Sequence, residues 1–301
     1  MIEVENLVKQ YANVRAVDGV SFSVGKGEMF GLLGPNGAGK TTTIRNIMDI
    51  IKPDSGSVRL MDQPMTQASK ARIGYLPEER GLYKSFRLLE CLTYLGALKG
   101  MPRKEASRRA MALLKQTGLA EYARRKVQEL SKGMTQKAQF LATLVHDPAL
   151  LILDEPFQGL DPINTEMLKE ILLEEQDRGK TIILSTHDMN QVEEMCDRIL
   201  LINHGRAVLY GDLAKIKAQY AEHAVFVECD RLPERLAGVQ QVRQDNHSFE
   251  IILAPQADAY QPDPSQAVLR QVMDAGINIR RFEVASAPLE DIFIKVVEAT
   301  Q

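Results

Sequence analysis

The chain of 301 residues is 45% hydrophobic and 26% charged, which is the ordinary composition of a globular protein with room for two domains. Its formal net charge of -3 provides no basic field, so sequence-independent binding to nucleic acid is disfavoured. No apolar run approaches the roughly eighteen residues of a membrane-spanning helix, and we do not expect the chain to cross a membrane by itself.

The first segment of the chain predicts β-structure. Residues 2–8 alternate apolar and polar side chains, and residues 11–24 continue as strands up to the turn signal at 25–27. An antiparallel β patch is therefore predicted ahead of the short buried strand that residues 28–33 indicate. Residues 42–51 then have apolar side chains at helical spacing.

Between that strand and that helix, residues 34–41 read GPNGAGKT and fit the phosphate-loop pattern GxxxxGK[ST]. The glycines let the backbone curl so that its N–H groups point inward, at a helix N-terminus that favours polyphosphate. Lys40 is predicted to reach the β- and γ-phosphates, and Thr41 to hold Mg²⁺. The alternative is a glycine-rich turn without a ligand, and the motifs that follow disfavour it. The predicted nucleotide-binding residues of this segment are Gly34, Pro35, Asn36, Gly37, Ala38, Gly39, Lys40, Thr41 and Thr42.

The middle of the chain changes from strands to helices. Residues 57–60 and 73–77 indicate two more strands, and a helical insertion is predicted over about residues 85–140. Its basic run, residues 103–109, is interpreted as a solvated helix face rather than a contact with anionic lipid. Residues 130–136 are predicted to form a loop that caps a helix over 136–145.

An apolar run over residues 149–153 ends in Asp154 and Glu155, which indicates a central parallel strand carrying two carboxylates at its C-terminal edge. Asp154 is predicted to hold Mg²⁺ through water, and Glu155 to take a proton from the attacking water. Taken alone, an apolar strand that ends in Asp-Glu often occurs by chance. About 110 residues after a phosphate loop, it favours a catalytic role.

A helix is predicted from Thr165 to Arg178 with Asn164 as its N-cap, followed by a buried strand over 181–186. His187 stands at the end of that strand. A lone histidine is usually structural, but this one shares a sheet edge with the two carboxylates, so its Nε2 is predicted to hydrogen-bond a γ-phosphate.

The last part of the chain begins with a hairpin around His204 and Gly205, where the histidine is interpreted as a turn residue. The remaining residues predict a small α+β domain that lacks a nucleophile, a metal cluster or a phosphate loop. His223 and His247 are interpreted as surface residues. The predicted elements are strands near 224–229, 239–243, 248–254 and 277–284, and helices near 265–275 and 288–299.

The order of these motifs resembles the ATP-binding cassette (ABC) ATPase family over about residues 1–220. The resemblance implies a P-loop NTPase fold of class α/β, with a mainly parallel sheet, an antiparallel β patch and a helical insertion. It also assigns further roles to individual residues. Tyr11 matches the aromatic residue that stacks on adenine, residues 130–134 the signature loop, residues 150–155 Walker B, residues 159–161 including Asp161 the D-loop, and His187 the switch histidine.

Two departures from the family pattern concern the site. Glu78 replaces the usual glutamine, although a carboxylate is still a good ligand for Mg²⁺. The usual Leu-Ser-Gly-Gly-Gln is Leu-Ser-Lys-Gly-Met, so Lys132 adds a positive charge. Ser131 and Gly133, which in the family touch the γ-phosphate, are present, and ATPase activity is expected.

The sequences PEERGLY at residues 77–83 and SKGMTQK at residues 131–137 resemble the exporter branch that includes drug- and sodium-efflux ATPases, in which similar C-terminal extensions occur. The resemblance implies an ATPase domain at 1–220 and an accessory domain at 221–301. It also implies ATP and Mg²⁺ bound between two head-to-tail copies. The expected partners are separate membrane permease subunits, which would hold this cytoplasmic chain at the inner face of the cell membrane.

Two alternatives come from other classes of protein. ABC ATPases that act on ribosomes resemble two fused cassettes, and those that act on DNA have long coiled-coil insertions, neither of which occurs here. A guanine-nucleotide switch would need an Asn-Lys-x-Asp motif to read the base, which the sequence lacks. The transported substrate is not encoded in this chain, because its pocket would lie in the permease.

Overall fold

A computed structural model describes residues 1–61, 63–79, 81–220, 224–233, 235–245, 248–254, 264–284 and 288–298. The chain divides into two compact units, Met1–Leu213 and Ala214–Gln301. The sequence predicted a boundary after residue 220, which assigns the helix Leu213–Tyr220 to the first domain, and that assignment stays a prediction. His223 and His247 lie outside the described residues.

The first unit contains ten strands, seven helices and two short 3-10 turns, Ala120–Tyr122 and Val127–Glu129, among its described residues. In chain order its elements are β1 (Ile2–Tyr11), β2 (Val14–Val24), β3 (Met29–Leu33), α1 (Lys40–Ile47), β4 (Ser55–Leu60), β5 (Gln63–Pro64), α2 (Gln67–Ala71), β6 (Ile73–Leu76), α3 (Leu88–Leu98), α4 (Arg103–Gln116), α5 (Lys132–Leu144), β7 (Leu150–Asp154), α6 (Pro162–Asp177), β8 (Thr181–Thr186), α7 (Met189–Met195), β9 (Arg198–Asn203) and β10 (Arg206–Asp212).

The central sheet has the strand order β10-β9-β3-β8-β7-β6. All neighbours pair in parallel except β10, which is antiparallel to β9 through the hairpin at His204. Every residue of β3, β7 and β8 is buried, which explains their nearly continuous apolar sequences. The C-terminal ends of these strands therefore lie along one edge of the sheet.

A second sheet with the order β2-β1-β4-β5 is antiparallel throughout. One hydrophobic core joins the two sheets and α1: it includes Val4 and Phe22 of the antiparallel sheet, Ile44 of α1, and Phe30 and Ile152 of the central sheet. The predicted antiparallel patch and mainly parallel central sheet are both confirmed. Both sheets pack against α1, the helix that follows the phosphate loop.

The helical insertion consists of α3, α4 and α5, and α3 contacts both of the other helices. The basic run at the start of α4 is only partly a solvated face. Arg103, Lys104 and Arg108 are exposed, whereas Arg109 is half-buried. Arg109 donates to Asp147 at 2.7 Å and to the carbonyl of Leu144 at 3.3 Å, and so ties α4 to the end of α5.

The start of α5 differs from the prediction. The helix begins at Lys132 rather than Gln136, so the residues predicted as a loop form its first turn. The reason is local, because the Ser131 hydroxyl accepts a hydrogen bond from the N–H of Met134 at 3.3 Å and acts as the N-cap. The helix end with its free N–H groups is thereby placed directly at Ser131.

The start of α6 was also predicted too late. Asp161, not Asn164, is the N-cap, and Pro162 occupies the first helical position, where its fixed φ and missing N–H are tolerated. Asp161 accepts from the backbone N–H of Asn164 at 3.0 Å. The helix α1 likewise spans Lys40–Ile47 instead of 42–51, so it begins within the phosphate loop.

The second unit is a four-stranded antiparallel sheet with three helices among its described residues. A hydrophobic core that includes Val225, Ile251 and Val268 packs one face of this sheet against α9. The predicted α+β character is confirmed. Its elements are α8 (Leu213–Tyr220), β11 (Ala224–Cys229), β12 (Val239–Asp245), β13 (Ser248–Leu253), α9 (Pro264–Asp274), β14 (Ile279–Val284) and α10 (Leu289–Glu298), and the sheet order is β12-β13-β11-β14.

None of the helices in the described ranges is both long enough and apolar enough to cross a membrane. The three cysteines, Cys91, Cys196 and Cys229, are buried and free of disulfides.

Candidate nucleotide site

The phosphate loop connects β3 to α1 and depends on glycine at two positions. Gly34 has φ +149° and Gly39 has φ +111°, values that other residues rarely adopt. A Cβ on Gly39 would lie 2.2 Å from the carbonyl oxygen of Ala16, and one on Gly34 would lie 2.2 Å from that of Ile202. The loop borders a cavity of about 200 Å³. The cavity is lined by Ala16, Pro35, Asn36, Gly37, Ala38, Gly39, Lys40, Thr41, Thr42, Glu78 and Glu155.

Lys40 is the buried cation of this cavity, with 6% of its surface exposed. Its ammonium donates to the carbonyl oxygens of Gly34 at 2.7 Å and Pro35 at 3.3 Å. Its Nζ also lies 3.7 Å from Oε1 of Glu155. A buried ammonium needs such partners, and phosphate oxygens are stronger acceptors than carbonyls. Lys40 is therefore placed to exchange its carbonyl contacts for an anion in the loop.

Glu155 follows β7 in an unusual conformation, with φ +49°. Its backbone N–H bonds the carbonyl of Ser185 at 2.9 Å, and its side chain is turned toward the end of β8. There Oε1 lies 2.9 Å from Nδ1 of His187, and Oε2 accepts from the hydroxyl of Thr186 at 3.4 Å. Only 7% of the surface of Glu155 is exposed, so its carboxylate is oriented by these contacts rather than by solvent.

His187 has half of its side chain exposed at the edge of the sheet. When Glu155 is ionised, Nδ1 of His187 must carry the proton that it shares with Oε1. Nε2 then remains available for a second group. Donation from both ring nitrogens requires the imidazolium form of His187.

Asp154, Thr41 and Glu78 provide oxygen atoms beside the loop. Asp154 is fully buried, and neither of its carboxylate oxygens makes a hydrogen bond of standard geometry among the described residues. Burial raises its pKa, although the nearby hydroxyls of Ser185 and Thr41 favour the charged form. The Thr41 hydroxyl lies 3.5 Å from Oε2 of Glu78.

These oxygen atoms suit Mg²⁺, which binds one or two carboxylates and keeps waters or phosphate oxygens as its other ligands. The buried carboxylate of Asp154, which lacks a well-formed partner, is the observation that fits a cation. The described residues contain no cluster of three or more His, Cys, Asp or Glu that would hold a metal by protein ligands alone. A cation at this place would take waters or phosphate oxygens as its further ligands.

Seven predicted site residues do not line this cavity. Gly34, Asp154 and His187 lie beside lining residues, whereas Tyr11, Ser131, Gly133 and Asp161 make no contact to them that the structure describes. Tyr11 lies at the end of β1, 42% exposed, with the ammonium of Lys9 5.7 Å from its ring centre. Ser131 and Asp161 are exposed N-caps, and Gly133 is in the first turn of α5. Hydrogen bonds from the backbone and side chain of Asn164 lower the pKa of Asp161.

Sequence reasoning missed three residues of the site. Ala16 lines the cavity, but a small apolar residue in a strand gives no signal in a sequence. Ser185 and Thr186 bring hydroxyls to Asp154 and Glu155. Two hydroxyl residues that follow the apolar residues 182–184, directly before His187, were a signal that could have identified them.

Comparison with known proteins gives two family matches. The family model described as ABC transporter matches residues 17–158, and the one described as the C-terminal domain of DrrA1-3-like ATP-binding proteins matches residues 211–297. The uncharacterized ABC transporter ATP-binding protein YhaQ of Bacillus subtilis is 37% identical, with 99% of each chain covered. The Nod factor export ATP-binding protein I of Paraburkholderia xenovorans is 36% identical, with 98% of this chain and 96% of that one covered.

Solved structures agree. The dimeric structure of a post-hydrolysis state of the ATP-binding cassette MJ0796, bound to ADP and Pi, has a TM-score of 0.65 at 25% identity, covering 71% of this chain and 99% of that one. CbiO1 from Clostridium perfringens, part of the ABC transporter complex cbiONQ, has a TM-score of 0.64 at 29% identity, covering 72% and 90%. The predicted fold class is confirmed, and the chain belongs to the ATP-binding subunits of ABC transporters, which are ATPases.

Proposed function

We propose that this chain powers an exporter: it binds ATP with Mg²⁺, forms a head-to-tail homodimer around two nucleotides, and drives separate integral-membrane permease subunits from the inner face of the cell membrane. The similarity to a Nod factor export protein supports the direction of transport. The dimeric neighbour and the neighbour from a transporter complex support the two kinds of partner. No nucleic acid partner is proposed, because the net charge is -3.

The observation that supports the proposal most strongly is that Glu155 contacts both Lys40 and His187 beside the phosphate loop. Backbone N–H groups of the phosphate loop hold the phosphates, and Lys40 contacts the β- and γ-phosphates. Thr41, Glu78 and Asp154 hold Mg²⁺. When bound there, Mg²⁺ neutralises the charge that develops on the phosphate oxygens.

Glu155 is the base in this proposal. Its contacts to His187 and Thr186 fix the carboxylate, so that it accepts a proton from the attacking water without first reorganising. Nε2 of His187 donates to the γ-phosphate. Catalysis of phosphoryl transfer consists mainly of such positioning and electrostatic stabilisation.

Tyr11, Ser131, Gly133 and Asp161, which lie away from the cavity, complete the nucleotide site in different ways. Tyr11 stacks on the adenine of its own chain. Ser131, Gly133 and Asp161 are on exposed helix starts, where N–H groups and the positive end of the helix dipole favour phosphate. We assign them to the nucleotide held by the partner copy, which gives a reason for the exposure of Ser131 and Asp161 in a single chain.

The experiment that tests the proposal is purification of the full chain from the membranes of cells that produce it. An integral-membrane partner should co-purify, and the complex should hydrolyse ATP only with Mg²⁺. A Lys40→Ala chain should still be recovered with the partner but lose nucleotide binding, because the buried ammonium is gone. Recovery in the ribosome fraction without any membrane partner would contradict the exporter.

Tyr11→Ala is expected to weaken ATP binding more than Tyr11→Phe. An aromatic ring stacked on a base contributes about 1–3 kcal/mol in nucleic-acid complexes, and phenylalanine retains the ring. Calorimetric titration of the three proteins with ATP and Mg²⁺ checks this. Equal dissociation constants would show that Tyr11 does not contact the base.

A chain that ends at Tyr220 is expected to fold and to bind ATP with the affinity of the full chain. It retains the whole of the unit Met1–Leu213 and every residue assigned to the nucleotide. Thermal melting and ATP titration measure the two properties. The second unit is proposed to regulate or to dimerise rather than to catalyse, and a well-folded shortened chain without ATP binding would contradict that role.

A further inference from the structure

The side chain of Gln136 connects the start of α5, which carries Ser131, to the segment 155–161, which carries Glu155. Gln136 lies in α5, just over one turn after its N-cap Ser131. Its Nε2 donates to the backbone carbonyl of Gln158 at 2.8 Å. Gln158 belongs to the segment 155–161, which begins at the proposed base Glu155 and ends at Asp161.

The segment 155–161 is tightly turned at this contact. The N–H of Gln158 bonds the carbonyl of Glu155 at 3.3 Å, and the N–H of Leu160 bonds that of Phe157 at 3.1 Å. Gly159 has φ +77°, and a Cβ there would lie 2.8 Å from Nε2 of Gln136. The backbone therefore passes against the amide of Gln136, and a side chain at position 159 would displace that amide.

The orientation of the Gln136 amide is fixed by this one contact. Its Oε1 is inaccessible to solvent and has no hydrogen-bond partner among the residues that the structure describes. Rotating the amide by half a turn would place Oε1 against the carbonyl of Gln158, where two acceptors repel. A buried acceptor without a partner lowers stability, so such a group calls for a functional explanation.

We propose that Gln136 is a positioning residue that couples the two nucleotide sites of the dimer. The inference rests on the proposed function, in which Glu155 acts on the nucleotide of its own chain and Ser131 on that of the partner. Because the amide of Gln136 holds α5 to the segment after Glu155, a shift of that segment on hydrolysis moves Ser131 as well. Hydrolysis at one nucleotide site thereby changes the contacts that Ser131 makes at the other site.

The test compares Gln136→Glu with a matched control, Gln158→Ala, in the full chain. The first change keeps the size of the side chain but points a carboxylate oxygen at the Gln158 carbonyl. The second removes the neighbouring side chain but keeps the carbonyl that accepts the bond. Gln136→Met, which has neither donor nor charge, is a second variant in case the carboxylate prevents folding.

ATPase rate against ATP concentration gives kcat, half-saturation and the Hill coefficient of each protein, and a fluorescent ATP analogue without Mg²⁺ gives the affinity of the monomer. Both Gln136 variants should lose about fivefold or more in kcat, the loss expected for one hydrogen bond. Their Hill coefficient should fall to about 1, with monomer affinity within about twofold of wild type. Gln158→Ala should match the wild type throughout.

The inference is overturned if both Gln136 variants keep the wild-type kcat and Hill coefficient while the wild type dimerises with ATP. It is also overturned if they lose monomer affinity as much as kcat, since that indicates a general structural role. A wild type that stays monomeric and has a Hill coefficient of 1 would instead contradict the proposed dimer itself, and the coupling with it.

Discussion

Replacing Glu155 by glutamine is expected to slow ATP hydrolysis by a factor of roughly 10²–10⁴, the usual contribution of a general base. The amide has nearly the same shape, so it still fits beside Nδ1 of His187 and the hydroxyl of Thr186. Asp154 and Thr41, which are proposed to hold Mg²⁺, are unchanged. ATP binding should therefore stay within about twofold of wild type, since only the proton acceptor is lost.

Release of phosphate at saturating ATP and Mg²⁺ measures this effect. Glu170→Gln is the matched control, because the same chemical change is then made on the exposed face of α6. The control should hydrolyse ATP at the wild-type rate. A Glu155→Gln protein that keeps more than about a tenth of that rate would show that another group accepts the proton.

The Glu155→Gln protein is also expected to accumulate as a dimer when ATP is present. Two nucleotides bound between two copies stabilise the dimer by mass action, and slow hydrolysis prevents their loss. Light scattering with and without ATP and Mg²⁺ measures the mass of the species. A monomer at every protein concentration would argue against the shared site.

The central part of the site could be predicted from the sequence because simple rules determine it. A phosphate loop must lie between a strand and a helix, and apolar runs that end in Asp154 or in His187 read as buried parallel strands. Since parallel strands end at one edge of a sheet, these residues were expected to come together. The structure places Glu155 3.7 Å from Lys40 and 2.9 Å from His187.

The helix starts could not be read as reliably, because a capping residue and a loop residue look alike in sequence. Ser131 and Asp161 are both favourable N-caps, but so is Asn164, and only the observed hydrogen bonds decide between them. The contact from Gln136 to Gln158 could not be predicted from the sequence at all. It joins residues 22 positions apart through a backbone carbonyl, and a backbone carbonyl has no sequence signature.

Adding Ser131→Arg to the Glu155→Gln protein is expected to abolish the ATP-dependent dimer. Ser131 is exposed and lies outside the cavity of its own chain, so in the proposed dimer it meets the γ-phosphate of the partner's nucleotide. An arginine is too large for that contact. It also removes the N-cap of α5, which costs about 1 kcal/mol, so the loss must be separated from unfolding.

The control is Ser55→Arg in the same Glu155→Gln background, because Ser55 is an exposed serine at the start of β4. It belongs neither to the nucleotide cavity nor to the residues assigned to the partner's nucleotide. Thermal melting and ATP titration should show that both double variants fold and bind nucleotide. Light scattering should then show a dimer for the Ser55 variant and a monomer for the Ser131 variant. Since Ser131 cannot act on a phosphate of its own chain from outside the cavity, a dimer that tolerates arginine there would remove the case for a site shared between two copies.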